Sequence, residues 1–142
     1  MPDRILAPPN IASATLLCPS LEGNYNCVTS FSSTAQPWSI TQSWSTTGFD
    51  LYAFDKKEYI ADAADHLDPT VSYTLRYNAR CLAGLPGVSA QLVIIEVGDL
   101  DDRGKHYHFT NQNVLEMNAK DQLVSRYSRD GTLVDTMTCT RR

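Results

Sequence analysis

No stretch of this chain comes near the roughly 20 consecutive apolar residues that a membrane-spanning helix requires. Basic residues are few and dispersed: twelve Lys and Arg against sixteen Asp and Glu leave a formal net charge of −4. A nucleic-acid surface needs a basic patch, so nucleic acid is not expected as a main partner. Histidine is limited to His66, His106 and His108. The cysteines form no C-x-x-C pair, which removes zinc ribbons and dithiol redox motifs. There is no Gly-x-Ser-x-Gly elbow and no cysteine beside a histidine, so nothing marks a nucleophilic hydrolase. No motif implies a cofactor. Internal repeats, linkers and a second domain are missing as well.

What is present is the composition of one globular domain. The chain has 142 residues, 42% hydrophobic and 20% charged, enough to bury a single core and too apolar for disorder. Residues 1–17, MPDRILAPPNIASATLL, carry Asp3 and two prolines at positions 8 and 9. They read as a flexible arm rather than a signal peptide, which leaves 18–142 as the domain. Cys18, Cys27, Cys81 and Cys139 are even in number and widely spaced. That suits two disulfides and a secreted or periplasmic protein. Three pairings are possible. Cys18 and Cys139 lie near chain ends that a barrel would bring together.

Short alternating segments recur between turn signals. NYNCVTSFS (24–32), PWSITQSW (37–44) and FDLYAFD (49–55) each read as a strand. VSYTLRYNARC (71–81) alternates most clearly, with Val71, Tyr73, Leu75, Tyr77, Ala79 and Cys81 on one face. VSAQLVIIEV (88–97) is apolar on both faces and predicts a central strand. The acidic turn GDLDDRG (98–104) follows, then KHYHFTNQNVLEM, QLVSRYSR and TLVDTMTCT. EYIADAADHL (58–67) is alanine-rich and predicts either a strand or a short helix. The sum is an all-β antiparallel up-and-down meander, and closure into a barrel of about eight strands would remove its exposed edges.

Gly23-Asn24-Tyr25, within CPSLEGNYNC (18–27), resembles the Gly-x-Trp opening strand of the calycin group, which includes the lipocalins. Tyr stands where that group usually has Trp. The resemblance implies a calycin-like barrel with a ligand cavity. It also implies a late arginine packed over the Tyr25 ring, a part open to Arg141 or Arg142.

Several candidate sites follow from residue chemistry. His106 and His108 share a strand face, and a zinc site built on them would need His66 as third ligand. The cupin pattern that His-x-His also resembles wants a glutamate three or four residues on, whereas Glu116 is eight away. No metal site is therefore expected. Asp99, Asp101 and Asp102 lack the glycine and distal glutamate of a calcium loop and read as a solvated hairpin. Trp38, Trp44, Tyr52, Tyr73 and Tyr77 are the candidate ligand-binding residues, an aromatic set able to line an apolar cavity.

The leading function is thus non-catalytic binding of a small apolar or amphipathic molecule inside the barrel. A second is a small-molecule isomerase or cyclase that uses lumen acid–base residues drawn from Tyr73, Arg76, Tyr77, Glu96 and Asp135. A cone-shaped ketosteroid-isomerase-type fold ranks behind the barrel, because residues 1–50 show no helical period. The third function is an inhibitor or interaction protein acting through its surface.

Overall fold

The computed structural model describes residues 18–84, 86 and 89–142; the arm read over residues 1–17 lies outside them. Ten antiparallel strands follow one another: β1 (Gly23–Thr29), β2 (Ser32–Trp44), β3 (Asp50–Phe54), β4 (Lys57–Ile60), β5 (Asp65–Leu67), β6 (Thr74–Leu82), β7 (Gln91–Asp102), β8 (Lys105–Met117), β9 (Leu123–Arg129) and β10 (Thr132–Arg141). They form one sheet in the order β4-β3-β2-β1-β10-β9-β8-β7-β6-β5. β1 and β10 pair at its centre, so the two halves of the meander spread outward from the chain termini.

The all-β meander is as expected, but the barrel is not closed and does not have eight strands. It is a strongly curled open half-barrel of ten. The physical reason lies in residues 61–64, between the two edge strands β4 and β5. Ala61 N–H donates to Asp50 O and Ala63 N–H to Ala79 O, so this segment bridges the sheet's two halves in place of a β4–β5 ladder. Ala63 sits at φ 61°, a conformation that interrupts a strand. Asp62 Oδ1 accepts from Ala64 N–H and holds the bend. The same bend removes the helical alternative over 58–67: Tyr59 is buried in β4, and no residue of that stretch is helical.

Local sequence accounts for the strands. In β6, Leu75, Tyr77 and Ala79 are buried, as the alternation of 71–81 implies, although the strand begins at Thr74 and leaves Tyr73 in a bend. In β7, Leu92, Ile94, Glu96 and Gly98 face inward. The acidic run is strand rather than turn, because the reversal is made by Arg103-Gly104 alone, both at positive φ. That is the geometry a two-residue hairpin turn demands. Gly98 has its own requirement: the Phe109 ring, opposite it on β8, lies where a Cβ would stand.

The core gathers at one end of the half-barrel. Tyr25, Tyr52, Leu92, Leu115, Leu123, Cys27 and Cys139 are almost wholly buried there. Residues 18–22 strap across this end: Leu21 is fully buried, its N–H donates to Gln42 Oε1, and Tyr25 Oη donates to its carbonyl. Tyr52 Oη donates to Pro19 O. The disulfides are Cys18–Cys81 and Cys27–Cys139, not a bridge between Cys18 and Cys139. The reason is register: Cys27 stands directly opposite Cys139 in the β1–β10 ladder. Cys18 is thereby left to tie the strap to β6.

The Arg141 guanidinium lies over the Tyr25 ring at 5.2 Å and donates to Glu22 O. Gly23 leaves the room for it, since a Cβ there would sit 2.5 Å from Arg141 Nη1. The barrel-like curl and this arginine–aromatic contact match what the Gly23-x-Tyr25 resemblance implies at the level of shape.

Candidate functional site

Curling the sheet leaves a hollow of about 330 Å³ on its concave face. One wall is aromatic. Trp38 from β2 stacks on Phe54 from β3 at 5.3 Å, and Phe54 meets Tyr59 of β4 edge-on at 5.7 Å. The ladder then crosses the open seam: Tyr59 packs on Tyr77 of β6 at 5.0 Å, and Tyr77 stacks on His66 of β5 at 5.1 Å. Ile94, Leu115 and Met137 complete the apolar lining, while Asn113, Ser125, Tyr127, Asp135 and Lys57 supply polar groups. The register explains their convergence. Asn113 pairs with Ile94 on one side and Tyr127 on the other, and Ser125 pairs with Leu115 and Met137.

A charged cluster staples the seam beside the hollow. Lys57 Nζ lies 3.3 Å from Glu96 Oε2 and 3.2 Å from Asp68 Oδ2, and Tyr59 Oη donates to Glu96 at 3.0 Å. Ile60 N–H, unused by any strand, donates to Tyr77 Oη. Burial alone would lower the Lys57 pKa, but Glu96 and Asp68 outweigh it and hold the ammonium above its ordinary range. Burial raises the Tyr59 phenol, and the Glu96 charge adds to the rise, so it stays protonated. For Asp68 the burial effect is overcome by hydrogen bonds from Thr70 and by Lys57, and its pKa falls below the usual 3.8.

These directions fix a pH dependence. Because the folded pKa of Asp68 is depressed, its stabilisation is complete above the ordinary aspartate value. It is lost as pH falls through the folded value. Lys57 is raised, so its share is complete below 10.5 and is lost as pH climbs through the folded value. Urea midpoints measured between pH 5 and pH 2 are expected to fall less steeply for Asp68→Asn than for the parent. Equal slopes would remove Asp68 from the account.

The five aromatic residues singled out from sequence go to different places. Trp38 lines the hollow. Tyr52 is fully buried in the core, and Tyr77 sits in the seam ladder. Tyr73 packs edge-on against Phe109. Trp44, half exposed, borders a polar cleft with Ser20, Glu22, Gln42 and Asp50 beside the strap. Trp38 and Tyr77 thus belong to one aromatic ladder, and the other three do not join it.

Phe54, Tyr59, Asn113, Ser125, Tyr127 and Met137 were not singled out, though alternation offered some signal. Phe54 shares a strand face with Tyr52, and Asn113 with Leu115.

In the cleft beside the strap, Gln42 Nε2 donates to Asp50 Oδ2, while Asp50 Oδ1 is the one buried side-chain atom among the described residues without a partner. Burial raises the Asp50 pKa against the effect of Gln42.

The three histidines do not form one cluster: His106 Nε2 and His108 Nδ1 both meet Asp99 Oδ1, at 3.2 and 2.8 Å, while His66 lies apart on β5. His66 Nε2 pairs with Asp62, His106 Nδ1 with Asp101 and His108 Nδ1 with Asp99, the last two as cross-strand partners on the outer face of β7–β8. Among the described residues no group of three His, Cys, Asp or Glu side chains is arranged to hold a metal ion. No described helix is long and apolar enough to cross a membrane.

No protein-family model, no curated protein sequence and no solved structure matches this chain.

Proposed function

We propose that this protein binds a small apolar or amphipathic molecule in the concave hollow of its half-barrel, without catalysis, in an oxidising compartment outside the cytoplasm. The observation that carries the reading is the hollow itself. At about 330 Å³ it lies within the range of small-molecule sites, ~300–1,000 Å³, and it joins an apolar lining to a few polar groups. A structural protein of this size would gain more by filling such a space than by leaving its lining short of contacts. The two disulfides support the compartment, since such bonds persist where thiols are not kept reduced.

A second reading, an isomerase or cyclase, draws on the Tyr59–Glu96 pair beside the hollow. It is the weaker one, because a phenol with a raised pKa is a poor acid and its proton already points at Glu96.

The chain has two tryptophans, so Trp44→Phe leaves Trp38 as the sole reporter of the hollow. Titration with the neutral fluorophore N-phenyl-1-naphthylamine is expected to quench Trp38 emission saturably at one equivalent. Ser125→Phe, which fills the space, is expected to abolish the signal. Non-saturable quenching, or quenching indifferent to Ser125→Phe, would sink the reading.

A further inference from the structure

The hollow's polar groups divide into those already engaged and those left open, and the division says what a ligand must carry. Lys57 is bound by Glu96 and Asp68. Asp135 accepts from both the backbone N–H and the hydroxyl of Ser30, and these bonds hold its carboxyl below the usual range. Tyr127 Oη donates to Asn111 Oδ1. Arg129, on the same inner face of β9, donates to Asn111 and lies over the Phe109 ring at 4.8 Å. Two side chains are different. Among the described residues neither the Asn113 amide nor the Ser125 hydroxyl has a protein hydrogen-bond partner. Neither is sealed off as Asp50 Oδ1 is, so both present their polar atoms to the hollow.

We propose that the hollow selects an uncharged amphipathic molecule whose carbonyl, amide or hydroxyl group bonds Asn113 and Ser125, and that it discriminates against carboxylates. This rests on the binding reading above and adds the class of ligand.

Asn113 offers two donors and a carbonyl acceptor, and Ser125 offers one hydroxyl that both donates and accepts. An uncharged polar group satisfies them without bringing a net charge into an apolar space. A carboxylate would need a cation; Lys57, in the lining, has two carboxylates already, and Arg129 lies outside the lining, over the Phe109 ring. Freeing Lys57 would leave the buried Glu96 charge with the Tyr59 hydroxyl and no cation, the costly way to break such a pair. The carboxylates of Glu96, Asp68 and Asp135 outnumber the Lys57 ammonium around the hollow and repel a further negative charge.

The test uses four ligands with one ten-carbon chain: decanol, decanamide, decanoate and decylamine. Each is titrated below its aggregation concentration into Trp44→Phe protein at neutral pH, with Trp38 emission as readout. Decanol and decanamide are expected to bind at least tenfold more tightly than decanoate, and Asn113→Ala/Ser125→Ala to weaken decanamide about tenfold. Decanoate or decylamine as the tightest ligand would overturn the inference while the binding reading stands. So would a double variant that binds decanamide unchanged. If none of the four binds but N-phenyl-1-naphthylamine does, the inference alone fails; if that probe fails too, the binding reading fails with it.

Discussion

Replacing Cys27 and Cys139 together by alanine is expected to lower the unfolding free energy by about 4–5 kcal/mol, the largest effect of any change considered. The bond closes a sequence separation of 112 residues. Loop-closure entropy removed from the unfolded chain grows with that length and reaches roughly this magnitude for loops of ~100 residues. The native side adds to the loss, since both residues are buried to within 2% at the centre of the sheet. Apart from this covalent tie, β1 and β10 are joined by their ladder and by hydrogen bonds such as Arg142 N–H to Asn24 O and Arg141 to Glu22 O, each worth far less. Urea unfolding of the double variant, with Cys18–Cys81 kept oxidised, measures the difference. A loss under 1 kcal/mol would mean that the β1–β10 ladder holds its register without the bond.

Glu96→Ala should cost about 3 kcal/mol, the lower part of the range for removing one member of a buried pair. Glu96 is 7% exposed and accepts from both Lys57 and Tyr59. Its loss leaves the Tyr59 hydroxyl without an acceptor and Lys57 with Asp68 alone. Lys57 reaches solvent in part, which relieves some of the penalty and places the effect at the low end. A compensating variant, Lys57→Met/Tyr59→Phe/Glu96→Leu, should recover most of the loss, because replacing every polar partner by apolar groups leaves no orphan. Denaturant unfolding of both variants decides. A triple variant no more stable than Glu96→Ala would show that the seam depends on charge itself rather than on having no unpaired group.

These two sites differ in how legible they were beforehand. The even cysteine count and wide spacing announced two bridges, but pairing depends on register. That Cys27 faces Cys139 follows only once β1 is known to lie beside β10 in one particular alignment. Glu96 in VSAQLVIIEV was legible as a candidate acid–base residue of a central strand, but not its partners. Its partners lie 37 and 39 residues away, across a seam that strand alternation does not describe.

Alternation along the chain by itself determined the all-β class, the inward face of β6 and the run of hairpins, because a side chain's face depends on local period alone. The lack of a long apolar run by itself spoke against a membrane-spanning helix, and no described helix is long and apolar enough for one. Only the tertiary structure decided that the sheet stays open, that ten strands rather than eight make it, and which residues line the hollow. The reason is physical: closure, bridge pairing and pocket lining are set by register and by contacts between residues tens of positions apart. Trp38, Phe54, Tyr59, Asn113 and Ser125 come from five different strands. No local pattern links them; the curl of the sheet does.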